Sequence, residues 1–157
     1  MSKFHLKNFL KGSYGLMLVF LQFFIILLHF FQWEFLPQKQ IIQASPFSYL
    51  LGILIIIIAL IIMLLSIKDL GRNLSPFPRP INNSNLVTTG IYRFTRHPMY
   101  YSLIFISIGV FIIKSSIYYL FLKISLALII KFKISLEEKY LMNKFKNYLL
   151  YKNKVKV

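Results

Sequence analysis

The stretch FTRHPMYYSLIFISIGVFII, residues 94–113, joins a short polar segment to a long apolar run. Pro98 disfavours helical geometry at His97 and is itself well suited to the first position of a helix. The stretch therefore predicts a helix that begins at Pro98, with Arg96 and His97 just outside its N-terminus. That end of a helix carries unpaired N–H groups and partial positive charge, so it favours a carboxylate or a phosphate.

The whole chain is more apolar than an ordinary soluble domain. Of its 157 residues 57% are hydrophobic, against about 45–50% in soluble proteins. The composition predicts a single membrane domain over residues 1–157. The chain has no cysteine, three separated histidines and four acidic residues, which excludes thiol chemistry and argues against a dedicated metal site.

The formal net charge is +15, from 19 basic and 4 acidic residues. The lysines are spread over termini and loops without the arrangement of a nucleic-acid-binding module, so we expect no nucleic-acid partner. Anionic headgroups of membrane lipids are the expected partner of this charge.

Apolar segments of about 20 residues are long enough to cross a bilayer as helices. The hydropathy predicts an all-α polytopic membrane helix bundle with spans at residues 14–33, 47–67, 99–113 and 117–130, followed by a C-terminal cytoplasmic helix. The last two spans flank the sequence KSS at residues 114–116 and are predicted to form a hairpin.

Basic residues number 3, 1, 5, 1 and 8 in the successive segments outside these spans. By the positive-inside rule, both termini and the loop between the second and third spans are expected in the cytoplasm. The size and composition suit a bacterial inner membrane.

That loop concentrates arginine and proline. All four arginines lie between positions 72 and 96, and four of the six prolines lie between positions 76 and 98. Arginine offers a planar fork for carboxylate or phosphate, and the sequence SPFPRP predicts an extended, rigid segment. The loop is therefore the expected binding region, facing the cytoplasm beside the lipid.

A second polar cluster, KISLEEKYL, is placed just after the fourth apolar segment. Consecutive helical residues point about 100° apart, so we predict that either Glu137 or Glu138 faces the bundle while the other pairs with a surface lysine. Lys133 lies one turn before Glu137, and an ion pair between them is the expected local interaction.

The sequences GRNLSPFPRP, LVTTGIYRFTRHPMYYS, the EE pair and F-x-x-Y-x-x-Y, within residues 69–151, resemble the isoprenylcysteine carboxyl methyltransferase and phospholipid methyltransferase family. The resemblance implies an integral membrane methyltransferase that uses S-adenosylmethionine. It also implies a cytoplasm-facing cofactor pocket and a lateral opening for a lipophilic acceptor, such as a prenylcysteine carboxylate or a phospholipid amine.

The residues that match the motif, with the helix-terminal Arg96, form the expected cofactor site: Asn85, Leu86, Val87, Tyr92, Arg96, His97, Pro98, Met99, Tyr100, Glu137 and Glu138. Lys133 occupies a position where the family can have a basic substrate-contacting residue. Ser102 departs from the glycine that often follows the motif. No catalytic base is expected, because such an enzyme must chiefly align its reactants and exclude water.

Two other functions remain compatible with the sequence. Membrane sterol and steroid reductases share the RHP-x-Y helix start but use NADPH. A noncatalytic membrane protein that retains the fold is the other alternative. Binding of S-adenosylmethionine and not of NADPH would exclude the reductase.

Overall fold

The computed structural model of the chain describes residues 3–31 and 45–155, with side chains from residue 13 onward. These parts form five α-helices and contain no β-strand. The helices are α1 (Lys3–Leu28), α2 (Pro46–Leu70), α3 (Pro98–Lys114), α4 (Ile117–Lys144) and α5 (Tyr148–Lys154), with short 3-10 turns at Gly71–Asn73 and Gly90–Arg93. Helix α2 packs on α3, α3 on α4 and α4 on α1. The predicted all-α class is confirmed.

Small residues bring α2 and α3 close together. Gly52, Ala59 and Ser66 are buried at seven-residue spacing on α2, and a Cβ atom added at Gly109 of α3 would lie 2.8 Å from the Gly52 carbonyl oxygen. Residues without bulky side chains allow such a close approach of backbones. On the same face Ser102 is fully buried, and its hydroxyl donates to the Pro98 carbonyl at 2.9 Å. The serine therefore fits this closely packed position, at which the resemblance implies glycine.

The predicted start of α3 and the predicted hairpin are confirmed. Pro98 is the first residue of α3, and His97 precedes it in a non-helical conformation. Ser115 ends α3 with a left-handed backbone, φ +47°, and Ser116 accepts the Tyr118 amide at the start of α4.

The predicted end of the fourth helix, at residue 130, was wrong. Helix α4 does not stop near residue 130 but continues to Lys144, so it carries Glu137 and Glu138 within its length. The hydropathy pattern indicates only the apolar part of this helix. The polar part is stabilised by contacts with the loop and with α5, which hydropathy does not report. At the other end of the chain α1 stops at Leu28, before the predicted limit of residue 33; residues 32 and 33 lie outside the described parts.

Among the described residues, one segment is long and apolar enough to cross a membrane by length and composition: Pro46–Asn73, which contains α2. Only 17% of its most apolar 18-residue stretch is buried inside the fold, so most of α2 presents Ile and Leu side chains outward. The apolar part of α1, Ser13–Leu28, and the whole of α3, Pro98–Lys114, are apolar but shorter. Of the four predicted spans, one is thus long and apolar enough among the described residues, and the bundle of four spans is not confirmed.

Candidate functional site

A cleft lies at the end of the bundle where α3 begins. Its free volume is about 90 Å³, below the about 300–1,000 Å³ typical of small-molecule sites, and the cleft is open to solvent on one side. Nine of the twelve residues predicted for the site line this cleft: Asn85, Leu86, Val87, Tyr92, Arg96, His97, Met99, Tyr100 and Glu137. The other three, Pro98, Glu138 and Lys133, are not among its lining residues.

The 3-10 turn before α3 brings Tyr92 to the cleft. Asp69, in the last turn of α2, accepts the Ile91 amide at 2.7 Å. Gly90 adopts φ +60°, and a Cβ atom there would collide with the Asp69 carboxylate. Only glycine suits both the left-handed backbone and this close approach. Asp69 and Gly90 therefore define the local backbone that presents Tyr92.

Glu137 is the carboxylate of the cleft. The Tyr100 hydroxyl donates to its Oε2 at 2.6 Å, and the Tyr100 ring stacks on His97 with centroids 5.7 Å apart. Burial raises the pKa of Glu137, while His97, Tyr100 and Lys133 act in the opposite direction. An oriented carboxylate in a small cleft is suited to binding an ammonium group or sugar hydroxyls.

Glu138 does not line the cleft and is the centre of a largely buried ion-pair cluster. Its Oε1 lies 2.8 Å from Arg96 Nη2 and 3.4 Å from His97 Nε2, and its Oε2 lies 2.7 Å from Lys152 Nζ. Hydrogen bonds from His97, Lys152 and Arg96 hold the pKa of Glu138 well below its usual range, against the opposing effect of burial. The two glutamates thus have different partners, as expected, and the lysine that pairs with Glu138 is Lys152.

Arg96 ties α5 to the start of α3. Its Nε donates to Glu138 at 2.9 Å, and its Nη1 donates to the carbonyls of Lys152 and Val155. The Tyr151 hydroxyl adds a hydrogen bond to the Tyr92 carbonyl at 2.6 Å. All three guanidinium nitrogens of Arg96 thus have partners within the protein, although the sequence had placed this residue against an anionic ligand.

The predicted ion pair between Lys133 and Glu137 was wrong. Lys133 Nζ donates instead to Gln22 Oε1 of α1 at 2.6 Å and lies 5.1 Å from the centre of the Tyr100 ring. Burial lowers the pKa of Lys133 to about 8, with a smaller opposing effect from Glu137. The tertiary contact with α1 replaces the local pair, because Glu137 turns toward Tyr100.

Eleven further residues line the cleft from the loop, the end of α2 and the C-terminal part of the chain, and none of them was predicted individually from the sequence. They are Leu70, Asn73, Ser75, Phe77, Pro78, Pro80, Ser84, Leu141, Phe145, Tyr148 and Tyr151. Two signals in the sequence point to them: the proline-rich segment and the F-x-x-Y-x-x-Y motif, whose residues Phe145, Tyr148 and Tyr151 all line the cleft.

A family model for phospholipid methyltransferases matches residues 47–148, about two-thirds of the chain. The matched region runs from the start of α2 to the first residue of α5 and contains the loop, the start of α3 and the polar part of α4 that surround the cleft. No curated protein and no solved structure matches the sequence. Because this match covers most of the chain, the chain belongs to the phospholipid methyltransferase family.

Proposed function

We propose that this protein is an integral membrane methyltransferase that uses S-adenosylmethionine to methylate a lipophilic acceptor. Family membership supports methyl transfer and a membrane-associated protein. The observation that carries the proposal is the cleft that gathers Tyr92, His97, Tyr100 and Glu137 from three separate parts of the chain. The proposed protein crosses the membrane with α1, α2, α3 and the apolar residues 117–130 of α4, and it has this cleft on the cytoplasmic side.

The cleft residues fit the chemical groups of S-adenosylmethionine. The Glu137 carboxylate is suited to the ammonium group of the cofactor or to its ribose hydroxyls. Apolar and aromatic walls at Leu86, Leu141 and Phe145 are suited to an adenine ring. We assign the cofactor contacts to Asn85, Leu86, Val87, Tyr92, His97, Met99, Tyr100 and Glu137.

Pro98, Arg96 and Glu138 are proposed to define the backbone around the site. Pro98 starts α3, and the pair of Arg96 and Glu138 holds α5 against the cleft. When bound, the cofactor supplies a methyl group that its sulfonium already activates for transfer. The tasks of this chain are to orient the two reactants in line and to exclude water. Tyr148 and Tyr151 of α5, both buried, contribute to the exclusion of water.

A second cleft lies next to the first and suits the acceptor. The two clefts share a wall made of Ser75, Phe77, Pro78 and Pro80, and the second is also lined by Leu16 of α1 and by Arg79. Leu16 and Phe77 are nearly half exposed, at 46% and 45%. None of the acidic residues in the described parts forms an ion pair with Arg79. An apolar wall beside an accessible guanidinium fits a glycerophospholipid, with its phosphate at Arg79.

Purified full-length protein in detergent is expected to bind labelled S-adenosylmethionine and not NADPH. Equilibrium binding with each labelled compound tests this directly. Binding of NADPH instead would favour a reductase, and binding of neither compound would favour a noncatalytic protein.

Changing Arg79 to Gln is expected to raise the KM for a phospholipid acceptor about fivefold, because an exposed charged contact contributes modestly. Cofactor affinity should not change. The measurement is the transfer of labelled methyl groups to vesicles of phosphatidylethanolamine and phosphatidylglycerol. Arg72→Gln is the matched control, since Arg72 is an exposed arginine of the same loop that does not line the cleft. Equal effects of both changes, or no effect of Arg79→Gln, would contradict the assignment.

A further inference from the structure

The hydroxyl group of Tyr148 has no hydrogen-bond partner in the described parts of the chain. Tyr148 is only 1% exposed, and it is one of the residues that line the cleft. Buried hydroxyl groups in native proteins are mostly hydrogen-bonded, and an exception calls for an explanation such as an ordered water, an ion or a functional role. The Thr95 hydroxyl is also buried and unpaired, but Thr95 does not line the cleft.

Tyr151, the neighbouring tyrosine of α5, has a hydroxyl group that is bonded within the protein. Tyr151 lies one turn after Tyr148, and the two rings meet edge to face with centroids 6.0 Å apart. The Tyr151 hydroxyl donates to the Tyr92 carbonyl at 2.6 Å. Tyr151 therefore anchors α5, whereas the Tyr148 hydroxyl makes no such contact.

The Arg96 side chain, the donor expected to bind an anion at this end of α3, already has partners. The guanidinium of Arg96 is bonded to Glu138 and to two carbonyls near the C-terminus. The amides of Tyr100 and Tyr101 donate to the His97 carbonyl, and Pro98 has no N–H, so the Met99 amide is the backbone donor left in the first turn of α3. An anionic group in the cleft must therefore find a donor other than the Arg96 side chain.

Tyr148 is such a donor over the physiological pH range. Burial and the negative charges of Glu138 and Glu137 raise the pKa of its phenol above the ordinary value, with Arg96 acting in the opposite direction. The group therefore keeps its proton and can donate it to an acceptor oxygen.

We propose that Tyr148 donates a hydrogen bond to the carboxylate of the cofactor's amino-acid end, while Glu137 binds the ammonium of the same end. This inference rests on the proposed function. The carboxylate and the ammonium are attached to one carbon atom, so their partners must line one cleft, as Tyr148 and Glu137 do. Tyr148 thereby becomes a specificity residue that distinguishes the complete cofactor from fragments without the amino-acid end.

The test compares two ligands on full-length wild-type protein and on the Tyr148→Phe variant. S-adenosylhomocysteine carries the amino-acid end, and 5′-methylthioadenosine has the same nucleoside and a thioether without it. Tyr148→Phe is expected to weaken binding of S-adenosylhomocysteine about tenfold and to leave binding of 5′-methylthioadenosine unchanged. The melting temperature without ligand should not fall, because the hydroxyl has no partner in the protein.

Tyr151→Phe is the matched control. It removes the bond to the Tyr92 carbonyl, so it should lower the melting temperature without ligand and weaken binding of both compounds. The proposal is overturned if Tyr148→Phe binds S-adenosylhomocysteine as wild type does, if it weakens both ligands equally, or if it melts as early as Tyr151→Phe. Wild-type protein that binds neither ligand would overturn the proposed function together with this inference.

Discussion

Replacing Glu137 with glutamine is expected to weaken binding of S-adenosylhomocysteine by about 10- to 100-fold. A hydrogen bond to a charged group contributes about 1.5–3 kcal/mol, and each 1.4 kcal/mol is about a tenfold change in affinity. The glutamine keeps the shape of the side chain, and its amide oxygen can still accept from Tyr100. The fold should therefore remain intact, with a melting temperature at or above that of wild type because a buried charge has been removed.

The pH dependence provides a second readout of Glu137. The raised pKa means that its carboxyl group gains a proton at a higher pH than an ordinary glutamate does. Because the ammonium of the ligand requires the ionised carboxylate, affinity should fall as the pH decreases through that raised pKa. The Glu137→Gln variant should lack this titration. Calorimetric binding from neutral to acidic pH is the measurement, and a variant that keeps wild-type affinity and pH dependence would show that Glu137 is not a ligand.

Replacing Arg96 with methionine is expected to destabilise the protein by about 3–5 kcal/mol, because removal of one partner leaves a buried charge uncompensated. The change removes the guanidinium from Glu138 and from the carbonyls of Lys152 and Val155. Helix α5 should then detach from the start of α3. Denaturant unfolding and proteolysis of the C-terminal segment measure the two effects.

The double variant Arg96→Met/Glu138→Gln should recover part of the lost stability, since it also removes the buried carboxylate whose partner is missing. Arg93→Met is the control, because Arg93 is an exposed arginine of the preceding turn. If Arg96→Met unfolds no earlier than this control, the ion-pair cluster does not hold α5.

The shifted pKa of Glu138 also predicts how the free energy of unfolding changes in acid. Its folded-state pKa is depressed, so its contribution to stability is complete at neutral pH. The contribution begins to be lost as the pH falls below the ordinary glutamate value of about 4.3. Acid unfolding of wild type should therefore be steeper than that of the Arg96→Met/Glu138→Gln variant.

Local features of the site could be predicted from the sequence, and long-range ones could not. The position of His97 just outside α3 follows from steric restriction by the next residue, Pro98. The partners of Arg96 are Glu138, 42 residues away, and the carbonyls of Lys152 and Val155, 56 and 59 residues away. No periodicity or local propensity connects positions so far apart. The same limit explains the wrong partner for Lys133, whose acceptor Gln22 lies 111 residues earlier.

The sequence by itself determined that this chain is helical and which residues carry the family's motif. It also determined where α3 begins and where the hairpin between α3 and α4 turns. These features depend on backbone sterics and on apolar runs, both of which act over a few neighbouring residues. Only the tertiary structure decided that α4 continues through Glu137 and Glu138, that Glu137 faces the cleft, and that Arg96 holds α5. It also separated Tyr151, which is bonded to the Tyr92 carbonyl, from Tyr148, whose hydroxyl is unpaired. The physical reason is that a polar side chain takes its role from the partner that packing places beside it.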